Sequence, residues 1–414
     1  MARRTPPKIP RPARAPLARS REIEALWAEL AALDERDLAP STRRRKAAAL
    51  AKEFWRRHAQ SPVIEPAPGA AGDWIVTFLW RDAKAEEVIL FANRLTDERR
   101  IADSRMRHVP GTDIWHLSYR MRGDWRASYG FLPRYPGDAW PWAEGGHRAL
   151  ARALARSRPD PLGRERSRNR AGHELSVVSL PDAPPQPWLA SRASVAARGE
   201  VAAHAGPDGR TVWVYEPPVP DDAPLPVVIA LDGEVWTGPQ DLATTVDNLI
   251  DDGEIRPALV VMPHSGGPER RWAELGGEGA AAAWIADILL PWVRARWHVS
   301  TSPDDVVVAG QSLGGLTALQ TALERPDAAR CALSQSASLW ARDLSPLRDA
   351  HGARLRVYLE VGAQEWVLRE PNERLAAGLA AEGHDVHYVE YNGGHDDACW
   401  RGGIADGLRH VLAP

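Results

Sequence analysis

The chain has 414 residues, 26% of them charged and 44% hydrophobic, with a formal net charge of only −3. That length exceeds one ordinary core and argues for two or three domains. No apolar run is long enough to span a bilayer, and two cysteines, Cys331 and Cys399, make no disulfide framework, which suits a reducing, cytoplasmic compartment.

Residues 1–20, MARRTPPKIPRPARAPLARS, are basic and proline-rich and lack an apolar stretch. No apolar h-region follows the arginines, so the segment reads as a disordered tail rather than a signal peptide, with a nucleic-acid arm as the weaker alternative. From Arg21 to His58, the spacing of Ile23, Leu26, Trp27 and Leu30, then of Ala48, Leu50 and Trp55, predicts two short amphipathic helices. Between Trp74 and Pro133 short runs alternate, WIVTFLW, EEVILFA, DIWHLSYRM and ASYGFLP, separated by polar turns. This is the pattern of a small antiparallel sandwich, read as an immunoglobulin-like accessory domain. Asp160 to Pro187 is rich in proline and arginine and reads as a linker.

Beyond the linker, TVWVYEP, PVVIAL, ALVVMP, DVVVAG, RVYLEV and VHYVEY alternate with helical segments such as AAAAWIADILLPWVRARW. That order predicts an α/β architecture, a mostly parallel sheet with helices on both faces. The expected domains are a tail at 1–20, helices plus accessory domain and linker at 21–185, and the α/β domain at 186–414. No internal repeat is present.

The small net charge hides an asymmetry. Residues 1–210 carry 37 Lys and Arg against 25 Asp and Glu, whereas residues 211–414 carry 15 against 30. A basic module is joined to an acidic one. Either the two dock by opposite charge, or arginines of the first hold an anion that the second repels.

The chemistry centres on VVVAGQSLGGLTALQ, Val306 to Gln320. Val306, Val307 and Val308 read as a strand buried on both faces, and Leu313, Leu316, Leu319 and Leu323 recur at helical spacing. Ser312 therefore sits on a strand-to-helix turn, and Gly310 and Gly314 complete the G-x-S-x-G pattern of a nucleophile elbow. An ordinary glycine-rich βα turn is the other reading. A base is expected in a loop after a later strand, and His395 in NGGHD, directly after VHYVEY, holds that position. For the acid, Glu365 lies past the end of RVYLEV, whereas Glu360 lies within that strand; a serine–histidine dyad without an acid also stays open. The oxyanion donors of such a fold are two backbone amides, one after the nucleophile and one from the loop after an early strand, here Leu313 and Glu234.

These stretches, together with VTFLWRD, GTDIWHLSYRMRGDWRASYGFLP, LDGEVW, LSQSASLW and NGGHDDACWRGGI, resemble the cytoplasmic ferric-siderophore esterase family, the enterochelin (enterobactin) esterases. The resemblance spans Val76 to Ile404, and NGGHDDACWRGGI is its most specific part. It implies an α/β-hydrolase preceded by a small substrate-capping domain. It further implies hydrolysis of the esters of a cyclic trilactone of acylated serines, with a ferric catecholate siderophore as the partner. No cofactor, protein-bound metal, nucleic acid or membrane is expected, and the oligomeric state stays open.

Five residues are candidate substrate contacts. Arg126 falls in the motif GDWRASY, Arg271 follows ALVVMP, and Arg401 lies six residues past His395. Trp236 adjoins the oxyanion loop and Trp340 follows the SQSAS stretch, both placed to stack on catechol rings, although each taken alone is equally explained as core. Two rival functions remain: a general aryl or feruloyl carboxylesterase, and a siderophore-binding protein that cuts nothing.

Overall fold

The computed structural model describes residues 5–97, 99–139, 152–195, 197–219, 223–276 and 280–414. They divide into two compact units, residues 12–184, and residues 185–414 together with the segment up to Arg11.

In the first unit, helices Arg21–Asp34 and Pro40–Arg57 bury Ile23, Leu26, Leu30 and Phe54 in one cluster. The Ser20 side chain caps the first by accepting from the Ile23 amide, and Pro40 opens the second where no amide donor is needed. Eight strands follow: β1 (Val63–Pro66), β2 (Asp73–Arg81), β3 (Glu87–Ala92), β4 (Arg107–His108), β5 (Ile114–Arg122), β6 (Arg126–Arg134), β7 (Glu165–Arg168) and β8 (Glu174–Ser179). They form two antiparallel four-stranded sheets, ordered β1-β2-β5-β4 and β3-β6-β8-β7. Phe78 and Leu117 of one sheet share a core with Leu90, Tyr129 and Phe131 of the other, as in a sandwich.

Two expectations change here. The stretch from Asp160 to Pro187 contributes β7 and β8 rather than serving only as a linker, because Val177 and Val178 supply a buried apolar pair that its proline and arginine content conceals. The end of the basic tail is also engaged. The Ala18 amide donates to Ser118 O and Arg120 N donates to Pro16 O. β4 pairs only with Trp115 and His116, so the rest of that β5 edge has unmet backbone groups, and the tail occupies them.

The second unit holds an eight-stranded sheet of β9 (Glu200–Ala205), β10 (Thr211–Glu216), β11 (Val227–Ala230), β12 (Leu259–Pro263), β13 (Val306–Gln311), β14 (Cys331–Gln335), β15 (Arg356–Gly362) and β16 (Asp385–Tyr391). The order is β16-β15-β14-β13-β11-β12-β10-β9, parallel from β16 through β12 and antiparallel over β10 and β9. Side chains alternate along a strand, so Val306 and Val308 enter one apolar layer, with Leu289 and Leu319, while Val307 and Ala309 enter the other, with Leu249 and Leu408. This double burial is why β13 is apolar throughout. Parallel pairing also brings the carboxyl ends of β11, β13, β14, β15 and β16 to one edge, where ligands bind in open α/β sheets. Among the described residues no helix is long and apolar enough to cross a membrane.

Candidate active site

Ser312 lies between β13 and helix Leu313–Glu324 with φ 60° and ψ −113°, a conformation that L-residues adopt only under constraint. The constraint is close packing. A Cβ on Gly310 would stand 2.5 Å from the Gly314 carbonyl carbon, so strand and helix can meet there only at glycine. Gly314 itself is less demanding, since its added Cβ would find nothing closer than 3.4 Å; Gly315, against Gln335 O at 2.9 Å, is the tighter position. The Ser312 amide donates to Gln335 O at 2.8 Å, and its carbonyl accepts from Ser338 N at 3.0 Å. The hydroxyl lies 3.1 Å from Ser338 Oγ. β14 and the loop after it thus hold the elbow on three sides.

Glu365 follows β15 and His395 follows β16, the two adjacent strands at that end of the sheet. The Nδ1 of His395 and Oε2 of Glu365 are 2.6 Å apart. Glu365 is 1% exposed, yet its carboxylate is well supplied: Oε1 accepts from Ser336 Oγ at 2.6 Å, Gly362 N at 3.0 Å and Tyr391 Oη at 3.1 Å. Ser336 in turn accepts from Trp400 Nε1 at 3.0 Å, and the Trp400 ring meets the imidazole edge-on at 4.5 Å. Burial and the neighbouring Glu365 charge push the Tyr391 phenol well above its ordinary pKa, which keeps it a donor. A carboxylate held by three donors and facing Nδ1 fixes the orientation of the imidazole.

Glu360, the alternative acid, points into the core. It is 3% exposed, within reach of Gln335 Nε2 at 2.7 Å and Tyr358 Oη at 3.1 Å, and burial raises its pKa to about 8. A Cβ on Gly403 would stand 2.0 Å from Oε2, so helix Asp397–Val411 passes the carboxyl at a glycine.

After β11, Asp232 adopts φ 67° and opens a one-turn helix, Gly233–Trp236. The first amides of a helix lack intrahelical acceptors, and Glu234 and Leu313 both occupy such positions. The Glu234 side chain also matters, against the expectation that only its amide would: its carboxylate accepts from the Ser265 amide at 3.0 Å and from the Ser265 hydroxyl, tying the loop to the one after β12.

The structure redistributes the five expected substrate contacts. Trp236 is 1% exposed and donates Nε1 to Leu231 O at 2.8 Å, so it is core, not pocket wall. Arg271 forms a two-pronged pair with the 3% exposed Asp232, at 2.6 and 2.9 Å, so its charge is engaged by the loop after β11. Arg401 donates to Gln186 Oε1 at 3.1 Å. Arg126, at the start of β6, donates to Ser179 Oγ at 2.9 Å and Pro184 O at 2.7 Å within its own unit. Trp340 is half-buried and stacks on Trp272 at 5.9 Å beside a cavity. Ser336, Ser338 and Tyr391 are neighbours of Ser312 and Glu365 that sequence reasoning does not assign; the signal was the alternation of serines in SQSAS at a strand's carboxyl end.

A constrained serine and a His–Glu pair at one edge of a mostly parallel sheet place the second unit among ester hydrolases of the α/β class. Residues 204–411 match the family model described as putative esterase, and residues 75–189 match that of the enterochelin esterase N-terminal domain. The chain is 30% identical over 375 residues to the iron(III) enterobactin esterase of Escherichia coli O6:H1 (strain CFT073), covering 82% of this chain and 91% of that one. It is 32% identical over 382 residues to the iron(III) salmochelin esterase of the same strain, covering 86% and 92%. Among solved structures, the ferric enterobactin esterase of Salmonella typhimurium superposes with a TM-score of 0.76 at 27% identity, covering 87% of this chain and 98% of that one. The enterobactin esterase of Shigella flexneri in the presence of enterobactin gives 0.72 at 25%, covering 87% and 97%. The chain belongs to the enterochelin esterase family.

Proposed function

We propose that this protein hydrolyses the ester bonds of a catecholate trilactone siderophore such as enterobactin, in its ferric or iron-free form, in the cytoplasm. Ser312 is the nucleophile: His395 Nε2 takes its proton as Oγ attacks the ester carbonyl, and the tetrahedral oxyanion is met by the amides of Leu313 and Glu234. Collapse expels a serine hydroxyl, protonated by the imidazolium. Water, deprotonated by the same nitrogen, then releases the acyl group and restores Ser312. Glu365 fixes the imidazole tautomer and stabilises its cation, with Ser336, Gly362 and Tyr391 holding the carboxylate in place. Each oxyanion donor contributes about 3 kcal/mol to the barrier reduction.

The observation that carries this reading is the 2.6 Å contact between His395 Nδ1 and the buried Glu365, at the same sheet edge as the strained Ser312. The substrate class is supported by the relatives' activities named above. A cytoplasmic site of action agrees with two buried, free cysteines. The first unit's sandwich is read as an immunoglobulin-like accessory domain. The test is incubation with iron-free and ferric trilactone, followed by mass detection of linear trimer, dimer and N-(2,3-dihydroxybenzoyl)serine. Ser312→Ala should abolish all products. Substrate bound tightly but recovered intact by the wild type would instead indicate a sequestering protein.

A further inference from the structure

A cavity of about 440 Å³, in the range of small-molecule sites, is lined in part by chain neighbours of the residues assigned to catalysis. Two of its walls are indoles that follow catalytic neighbours in the chain. Trp340 comes two residues after Ser338, which touches the Ser312 hydroxyl, and Trp366 comes directly after Glu365. Stacking on Trp272 at an interplanar angle of 25° fixes the Trp340 ring. A further side is closed by the N-terminal segment, through Pro7 and Ile9. This segment belongs to the same compact unit, and the Arg11 guanidinium stands over the Trp366 ring, 5.4 Å from its centre. Pro6, Pro7, Pro10 and Pro12 restrict the segment's backbone, which lowers the entropy lost in holding it against the wall.

The charges in the lining decide what it can hold. There are two carboxylates, Asp343 and Glu370, and one guanidinium, Arg374, which is already paired with Glu370. A flat aromatic ring fits between indoles, and catechol hydroxyls can donate to carboxylates. A catecholate bound to iron has given up those protons, turns that edge to the metal and carries negative charge, so it cannot donate there, and Asp343, which Arg374 does not pair, repels it.

We propose that this cavity is a subsite for one iron-free dihydroxybenzoyl arm of the substrate or product, with the Pro7–Arg11 segment as its outer wall. The choice of a catechol arm rests on the siderophore esterase reading; the preference for the iron-free state rests on the lining alone. It implies that the enzyme distinguishes a free arm from a metal-bound one through residues other than those that cut the ester.

The test is calorimetric binding of N-(2,3-dihydroxybenzoyl)serine, iron-free and as its ferric complex, to the full chain. Wild type should bind the iron-free compound at least tenfold more tightly than the ferric complex. Trp366→Ala should weaken iron-free binding about tenfold, and Ile9→Asp and Asp343→Asn several-fold each, with little effect on the ferric complex. Ile9 is 40% exposed, so its replacement does not threaten folding, and an unchanged melting temperature verifies this. The proposal fails if wild type does not bind the iron-free compound, if Trp366→Ala and Ile9→Asp leave its Kd within twofold, or if both forms lose affinity equally. Hydrolysis of the trilactone is scored separately by mass. Cleavage with unaltered monomer binding rejects the subsite and keeps the esterase, and the reverse result rejects the esterase and keeps the subsite.

Discussion

The buried carboxyl of Glu360 makes stability depend on pH in a calculable way. Its ordinary pKa of 4.5 is raised to about 8 by burial, because Gln335 and Tyr358 replace only part of the lost water. Between those two values the folded protein holds a proton that the unfolded chain has released. Stability therefore falls as pH rises through this window, by about 1.4 kcal/mol per unit. From pH 5.5 to 7.5 the loss attributable to this one group is about 2–3 kcal/mol. Glu360→Gln removes the titration while keeping the contacts, since the amide oxygen can accept from Gln335 Nε2 and the amide nitrogen can donate to Tyr358 Oη. The variant and wild type should be close in stability near pH 5, and the variant should gain on the wild type at the stated slope up to about pH 8. Urea unfolding of both proteins at half-unit pH steps measures the difference, and other titrating groups, common to both, cancel. Parallel pH–stability curves, within about 0.5 kcal/mol across the window, would refute the reasoning, because the carboxyl would then titrate alike in both states.

Three further outcomes follow from the site. Glu365→Gln should lower kcat about a thousandfold with the fold retained, because the amide no longer offsets the imidazolium charge and can present a donor to Nδ1; steady-state kinetics on a p-nitrophenyl ester measures this, and near-normal turnover would indicate a dyad. Ser336→Ala removes a donor to Glu365 and strands Trp400 Nε1, and should cost about 1–3 kcal/mol in stability together with a fall in kcat at nearly constant KM. Arg271→Ala leaves the buried Asp232 carboxylate without its guanidinium and should cost about 3–5 kcal/mol in thermal or urea unfolding; adding Asp232→Asn to Arg271→Ala should restore part of that stability, which a simple loss of substrate contact would not predict.

What the sequence makes legible is what local rules govern. The run of valines in β13 is apolar because each face of the strand meets a separate helical layer, and periodicity reports this without knowledge of the partners. Glu365 is separated from Glu360 by position alone, one beyond its strand and one inside it. Other features depend on residues far apart in the chain. Arg271 reads as a free cation until the fold brings Asp232 to it, 39 positions away. Trp236 reads as a pocket wall until its indole nitrogen meets the Leu231 carbonyl and the ring enters the core. Ser336 and Ser338 resemble turn residues, because a short hydroxyl after a strand is locally explained by turn chemistry. Their partners are Glu365 after the next strand and Ser312 after the preceding one, and parallel pairing aligns all three strand ends. In a parallel sheet the active-site neighbours of a residue are thus set by strand order rather than by sequence distance. Reading SQSAS correctly therefore required knowing that β14 lies between β13 and β15. Once that order is known, the hydroxyl of Ser338 can reach Ser312 and that of Ser336 can reach Glu365 from a single strand end.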